Sequence, residues 1–216
     1  MRYKAVLFDM DGTVLDTLTD LENAVNESLR RFGLPEASRA QVRAALGNGA
    51  AQLLRRCMPG QPEERVREVL AWYLPWYEAH CSVETRPYAG VLPLMERLRA
   101  AGAKLAIISN KSDAAVRTLA EDFFPGLLET AVGESAAVRR KPNPDAVLAA
   151  AARMGLAAAD CVYVGDTEVD LATAKNAGMD CVAVSWGFRS GEELRAAGAE
   201  RIAREPGELA ALLGLE

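Results

Sequence analysis

The chain lacks the residues that would build a metal finger or a disulfide scaffold. It has one histidine, His80, and its four cysteines, Cys57, Cys81, Cys161 and Cys181, are widely spaced with no C-x-x-C pair. This argues against a zinc cluster, and isolated cysteines of this kind read as small buried hydrophobes in a reducing cytosol. There is no long block of one charge sign: 25 basic and 30 acidic residues leave a net charge of −5. This argues against a nucleic-acid backbone or an anionic membrane surface as partner. Charges also interrupt every apolar run well before the ~18 residues of a membrane span. The run after "MRYK", broken by Asp9, is too short for a signal peptide. A cytoplasmic protein that binds neither nucleic acid nor membrane is expected.

What is present is an alternation. At 216 residues the chain lies between one and two average domains, long enough to bury ~70% of its unfolded surface without staples. Four short, near-continuously apolar segments read as parallel strands covered on both faces: "AVLF" (5–8), "KLAIIS" (104–109), "CVYVG" (161–165) and "CVAVS" (181–185). Helical patterns lie between the later ones, over 92–101, 113–121, 144–154 and 168–177. Strand alternating with helix predicts an α/β fold, a doubly wound parallel sheet. The hexapeptide "LRAAGA" occurs twice, at Leu98–Ala103 and Leu194–Ala199. Each copy runs a helix into a glycine suited to a left-handed C-cap.

Residues 17–82 depart from this pattern. They are helical throughout, broken at Gly33, at 47–49 and at 59–62, with no strand-like run. The expectation is a small all-helical domain, 17–82, inserted into a core made of 1–16 and 83–216. Crossings near Asp16–Thr19 and Val83–Gly90 would be its hinges.

In a parallel α/β sheet, ligands bind beyond the carboxyl ends of the strands. Asp9, Ser109, Asp166 and Ser185 stand at such ends. Asp9 and Asp11 in "FDMDGTVLD" by themselves suit a turn. Together with "GDTEVD" (165–170) they crowd carboxylates that would repel unless a hard cation such as Mg²⁺ lay between them. With Mg²⁺ in place, the remaining residues suit phosphoryl transfer. One carboxylate attacks phosphorus, a second moves protons, Ser109 and Asn110 meet phosphate oxygens, and Lys141 supplies fixed positive charge. Each residue also has a plainer reading: Ser109 as a helix cap, Lys141 as part of a solvated "RRK", Asp166 and Asp170 as first-turn acids that favour a helix dipole.

Four stretches in order, "DMDGT", "SN" (109–110), "KPNPD" and "GDTEVD", resemble the motifs of the haloacid dehalogenase superfamily of phosphohydrolases, in its phosphoglycolate phosphatase-like branch. The resemblance covers essentially the whole chain. It implies Asp9 as nucleophile and metal ligand, Asp11 as general acid and base with its backbone carbonyl on the metal, and Asp166 as a further ligand. Ser109, Asn110 and Lys141 would hold the phosphoryl group, Asp170 and Thr13 would stand behind them, and 17–82 would be the family's cap. It further implies an Mg²⁺-dependent hydrolase of a small phosphate ester, foremost 2-phosphoglycolate, acting as a monomer or homodimer. An aspartate at position 11 sets the chain apart from the family's dehalogenases. Sugar phosphates, nucleotides or pyrophosphate remain alternative substrates. A β-phosphoglucomutase-like mutase, for which Arg43, Arg55 and Arg56 would be the cap cations, and a phosphoacceptor switch also stay open. Asn48 in "LGNGAAQLL", and Arg43, are the cap candidates for contacting substrate.

Overall fold

Six strands, each followed by a helix or a short turn, set out the core in the computed structural model, which describes residues 1–215. The chain opens with β1 (Ala5–Phe8) and the short β2 (Leu15–Asp16). Four helices follow: α1 (Leu18–Arg31), α2 (Arg39–Ala45), α3 (Gly49–Cys57) and α4 (Glu63–His80). After β3 (Arg86–Pro87) the alternation resumes with α5 (Val91–Ala100), β4 (Lys104–Ser112), α6 (Asp113–Phe123), β5 (Thr130–Glu134) and α7 (Asp145–Arg153). It ends with β6 (Cys161–Gly165), α8 (Glu168–Ala177), β7 (Asp180–Val184), α9 (Gly191–Ala196), β8 (Ile202–Ala203) and α10 (Pro206–Leu212). The main sheet has the order β5-β4-β1-β6-β7-β8, every neighbouring pair parallel. β1 is central, and the order reverses beside it, which opens a crevice at its carboxyl end.

The strands are apolar throughout because each face has its own core. Val6 and Phe8, with Leu105, Ile107, Val162 and Val164, pack toward Leu94 and Leu98 of α5 and Val116 and Leu119 of α6. The intervening residues Ala5, Leu7, Ala106, Ile108 and Tyr163 pack toward Val147, Ala150 and Ala151 of α7 and Ala174 of α8. This is the two-residue period of a strand, read on both faces. The expected strands and helices are present with ends shifted by a residue or two, except that β4 continues three residues past Ser109, to Ser112. β5 and β8 were not expected. They are the two edge strands, and β5, "TAVGE", is only half-buried and carries a glycine. An edge strand needs less apolar sequence than a central one. The two "LRAAGA" copies close their helices with the same bonds. Gly102 N–H donates to Arg99 and Ala103 N–H to Leu98, and Gly198 and Ala199 repeat this on Arg195 and Leu194. Both glycines have φ near +90° (88° and 95°), where a side chain would be strained.

The inserted block is a small all-helical cap. The buried face of α1 (Leu21, Ala24, Val25, Leu29) shares one core with Val66, Val69 and Tyr73 of α4 and Leu53 and Leu54 of α3. The chain leaves and re-enters the core side by side, since β2 and β3 pair antiparallel, Leu15 opposite Pro87 and Asp16 opposite Arg86. Just beyond, buried Asp20 accepts from the backbone N–H of Glu84 and Thr85 and from the Thr85 hydroxyl, all at 2.9–3.0 Å. The two crossings are thus tied to each other. Among the described residues no helix is long and apolar enough to cross a membrane.

Candidate active site

The end of β1 begins the site. Asp9 N–H still donates to Val164 O at 2.8 Å, so its side chain is fixed at the sheet's edge, and the chain then turns through Gly12 at φ +81°. A Cβ at Gly12 would overlap the Asp166 carboxylate, which is why a side chain is not tolerated there. Asp166 follows β6. Its Oδ1 accepts from Thr13 Oγ1 at 3.2 Å and its Oδ2 from Phe188 N–H at 2.7 Å. Asp170, one turn into α8, uses Oδ2 to accept from Thr167 N–H and Oγ1, leaving Oδ1 free to face Lys141 at 2.8 Å.

Lys141 is buried at 3% exposure and its ammonium has three oxygen neighbours: Asp170 Oδ1 and Asp9 Oδ1 at 2.8 Å and the Tyr163 hydroxyl at 3.0 Å. Tyr163 in turn donates to Ile108 O. The Asp9 contact is at ion-pair distance but lacks hydrogen-bond alignment, so Asp9 Oδ1 is a buried oxygen with no hydrogen bond. Burial pushes the Asp9 carboxyl up to about 7 against the pull of Lys141, with Asp170 and Asp11 adding to the rise. Asp166 is also raised, first by burial and then by Asp170 and Asp9. Burial alone would depress Lys141, but Asp170 and Asp9 more than reverse this and hold its pKa well above the usual lysine value.

Oxygens of Asp9, Asp166 and Asp170 all lie within 4.8 Å of one another. Three buried carboxylates stand together, two of them beside one lysine, one oxygen has no hydrogen bond, and the charged forms disfavour each other. This donor set fits a hard divalent cation, which prefers carboxylate oxygen. Asp11 is turned away from the cluster, its Oδ1 2.6 Å from the Lys111 ammonium.

The sequence-predicted residues converge unevenly. Asp9, Asp11, Ser109, Asn110 and Lys141 line one cavity of about 60 Å³ under the cap, roofed by residues that include Leu53, Tyr73 and Tyr77. Such a space holds on the order of five waters. Asp166, Asp170 and Thr13 sit behind it. Asn110 spends its side chain on structure: Oδ1 accepts from Lys141 N–H at 2.7 Å, and Nδ2 donates to Lys141 O and, across to the cap, Gly47 O. Ser185 instead turns toward Ala203 O. Asn48 offers its carbonyl to Arg140. Arg43 does not reach the cavity: Nε donates to Phe188 O at 3.0 Å and Nη2 to Gly187 O at 2.8 Å. Arg55 meets Glu63 and Gln52, and Arg56 meets Ala45 O. Two residues were not anticipated, Tyr163 and Lys111. Lys111 follows Ser109 by two and so shares its strand face.

Arg43, with Arg189 donating to Leu46 O at 3.2 Å, fastens the cap to the loop that also touches Asp166. Arg43→Ala should loosen this closure without unfolding the core. Backbone amides of 46–50 should exchange roughly fivefold faster by hydrogen exchange, the effect of ~1 kcal/mol, while β1 and β6 keep their protection. Unchanged exchange would mean that the cap is held elsewhere.

Comparison with known proteins bears on the family and the fold. The model of haloacid dehalogenase-like hydrolases matches residues 6–184. The chain belongs to that family. It is 36% identical over 199 residues to a phosphoglycolate phosphatase of Xanthomonas campestris pv. campestris, covering 89% of this chain and 88% of that protein. Phosphoglycolate phosphatase 1 of Pseudomonas aeruginosa is 33% identical, covering 88% of this chain and 72% of its own length. Among solved structures, a protein of Lactobacillus delbrueckii subsp. bulgaricus, provisionally described as a phosphoglycolate phosphatase, superposes with a TM-score of 0.94. It has 37% identity, covering 99% of this hydrolase and 100% of that chain.

Proposed function

We propose that this hydrolase is an Mg²⁺-dependent phosphomonoesterase that works through an aspartyl phosphate on Asp9, with 2-phosphoglycolate as its substrate. The observation that carries the reading is Asp9 Oδ1, buried without a hydrogen bond beside Lys141 and the acidic cluster. An oxygen so placed is free to attack phosphorus. Asp9 displaces the alcohol and becomes an acyl phosphate, splitting one hard displacement into two easier ones. Asp11 gives a proton to the leaving oxygen and then takes one from the attacking water. Lys141 and the Ser109 hydroxyl hold the phosphoryl oxygens, and Asp170, Tyr163 and Asn110 keep Lys141 in place. Asp9, Asp166 and the Asp11 backbone carbonyl would hold Mg²⁺, with Asp170 alongside. When bound, it neutralises the carboxylates and the charge of the transferring group. Residues 17–82 act as the cap, hinged at β2 and β3, which admits substrate and then excludes water. A cytoplasmic location and a monomeric or homodimeric acting unit go with this reading.

Two features favour hydrolysis of a small ester over the mutase reaction. No cap arginine lines the cavity, since Arg43, Arg55 and Arg56 are engaged elsewhere, and the cavity is small. The substrate assignment rests on what the relatives are named for, together with that size. The test is kcat/KM over 2-phosphoglycolate, glucose 1- and 6-phosphates, nucleoside monophosphates and pyrophosphate, with and without Mg²⁺. 2-Phosphoglycolate should lead by at least about tenfold, and activity should vanish on chelation. Flat, low values across the panel would sink the assignment.

A further inference from the structure

The cavity contains one cation that the phosphoryl-transfer scheme does not use. Lys111 is as buried as Lys141, with its side chain 3% exposed. One of its three ammonium donors meets Asp11 at 2.6 Å, and the charge also lies 4.7 Å from the centroid of the Tyr77 ring. Among the described residues it has no other hydrogen-bond acceptor, which leaves two donors without a protein partner. Two further buried polar atoms on the cavity wall have no partner either: the Tyr77 hydroxyl and the Ser112 hydroxyl. Burial pushes the Tyr77 phenol well above its usual pKa, so it stays a neutral donor. Unsatisfied buried donors are costly and few in native proteins. Three such groups lining one cavity, Lys111, Tyr77 and Ser112, describe a place for an acceptor.

The rest of that wall narrows the ligand. Leu21, Leu46, Ala50, Leu53 and Leu74 give the cap side an apolar lining with no cap cation. A substrate whose second end is uncharged would leave the Lys111 donors unpaired on closure. A sugar would bring several hydroxyls to an apolar wall that cannot bond them. A carboxylate a carbon or two from the phosphate ester meets both conditions: it accepts from Lys111 and Tyr77, and it is small. We propose that Lys111, with Tyr77 and Ser112, forms a carboxylate subsite that selects short phosphorylated acids over neutral phosphate esters of the same size. Lys111 holds Asp11 with one donor and the substrate's carboxylate with the others, placing the acid and the leaving group on a common anchor. This rests on the phosphomonoesterase reading but can be tested apart from it.

The probes are non-hydrolysable: 3-phosphonopropanoate, which carries a carboxylate, and n-propylphosphonate, which does not. Both are titrated into the Mg²⁺-loaded wild-type protein by calorimetry. The carboxylated probe should bind roughly ten- to hundredfold more tightly, the scale of a charge-assisted hydrogen bond. Lys111→Met should erase that ratio, Lys111→Arg should keep most of it, and Tyr77→Phe should reduce it severalfold. The ratio is the readout because any change passed through Asp11 affects both probes alike. Equal wild-type affinities, a ratio that survives Lys111→Met, or binding of neither probe would overturn the proposal. A clear ratio in a protein that hydrolyses none of the phosphate esters of the panel would leave the subsite standing and sink the phosphatase reading instead.

Discussion

Asp9→Asn should lower turnover by about 10⁴-fold or more on every phosphate ester, the loss expected when a covalent nucleophile is replaced by an isostere that cannot attack. The fold should survive, because Asn keeps the shape and β1 is held by its backbone: Asp9 N–H to Val164 O, Ala5–Phe8 paired on both sides. A second readout does not depend on activity. Mg²⁺ should raise the melting temperature of the wild type, since a ligand at a hundredfold its Kd adds about 2.7 kcal/mol. That rise should shrink in Asp9→Asn as a donor of the acidic cluster is lost. Asp11→Asn should behave differently. Asp11 is paired with Lys111 and faces away from the cluster, so its removal should cost about 10²- to 10⁴-fold on alkyl phosphates. The loss should be much smaller on an aryl phosphate, whose leaving group needs little protonation. Equal losses for the two variants on both substrate types would mean that the roles of nucleophile and acid are not divided in this way.

Much of this arrangement was legible because it follows from local rules. Central strands buried on both faces read as continuous apolar runs, so β1, β4, β6 and β7 stood out and their ends pointed to Asp9, Ser109 and Asp166. The paired "LRAAGA" stretches announced helix ends because a glycine at positive φ leaves few alternatives. What escaped detection depends on distance across the fold. Tyr163 looks in sequence like any aromatic of a buried strand; only the pairing of β1 with β4 and β6 brings its hydroxyl to Lys141. Lys111 lies past the apolar run that ends at Ser109, so hydrophobicity alone leaves it outside the strand. Once the strand runs to Ser112, the two-residue period carries it to the same wall. The arginines of α2 and α3 show that position on a cap helix does not decide the partner: a guanidinium on a long side chain finds the nearest unsatisfied carbonyl or carboxylate, and Arg43 meets the loop beside Asp166.

The other large effect belongs to Lys141. Its ammonium lies between the carboxylates of Asp9 and Asp170 with Tyr163 as third neighbour, so Lys141→Met leaves two buried acids with no cation. Removing one partner of a buried ion pair costs about 3–5 kcal/mol, and metal-free Lys141→Met should lose that much in chemical denaturation. Mg²⁺ should recover part of the loss, because a divalent ion in the cluster neutralises the same oxygens. Activity should not return with it: the phosphoryl group would still lack its fixed charge, a deficit of about 10²- to 10³-fold or more. Lys141→Arg should fail as well. A compact ammonium donates to Asp170 and Tyr163 while keeping its charge beside Asp9, whereas a guanidinium is a flat fork and the residue has no room, being 3% exposed. A Lys141→Met protein as stable as wild type without Mg²⁺ would show that the carboxylates are already neutral there. One whose activity returned with its stability would show that Lys141 serves the fold and not the phosphoryl group.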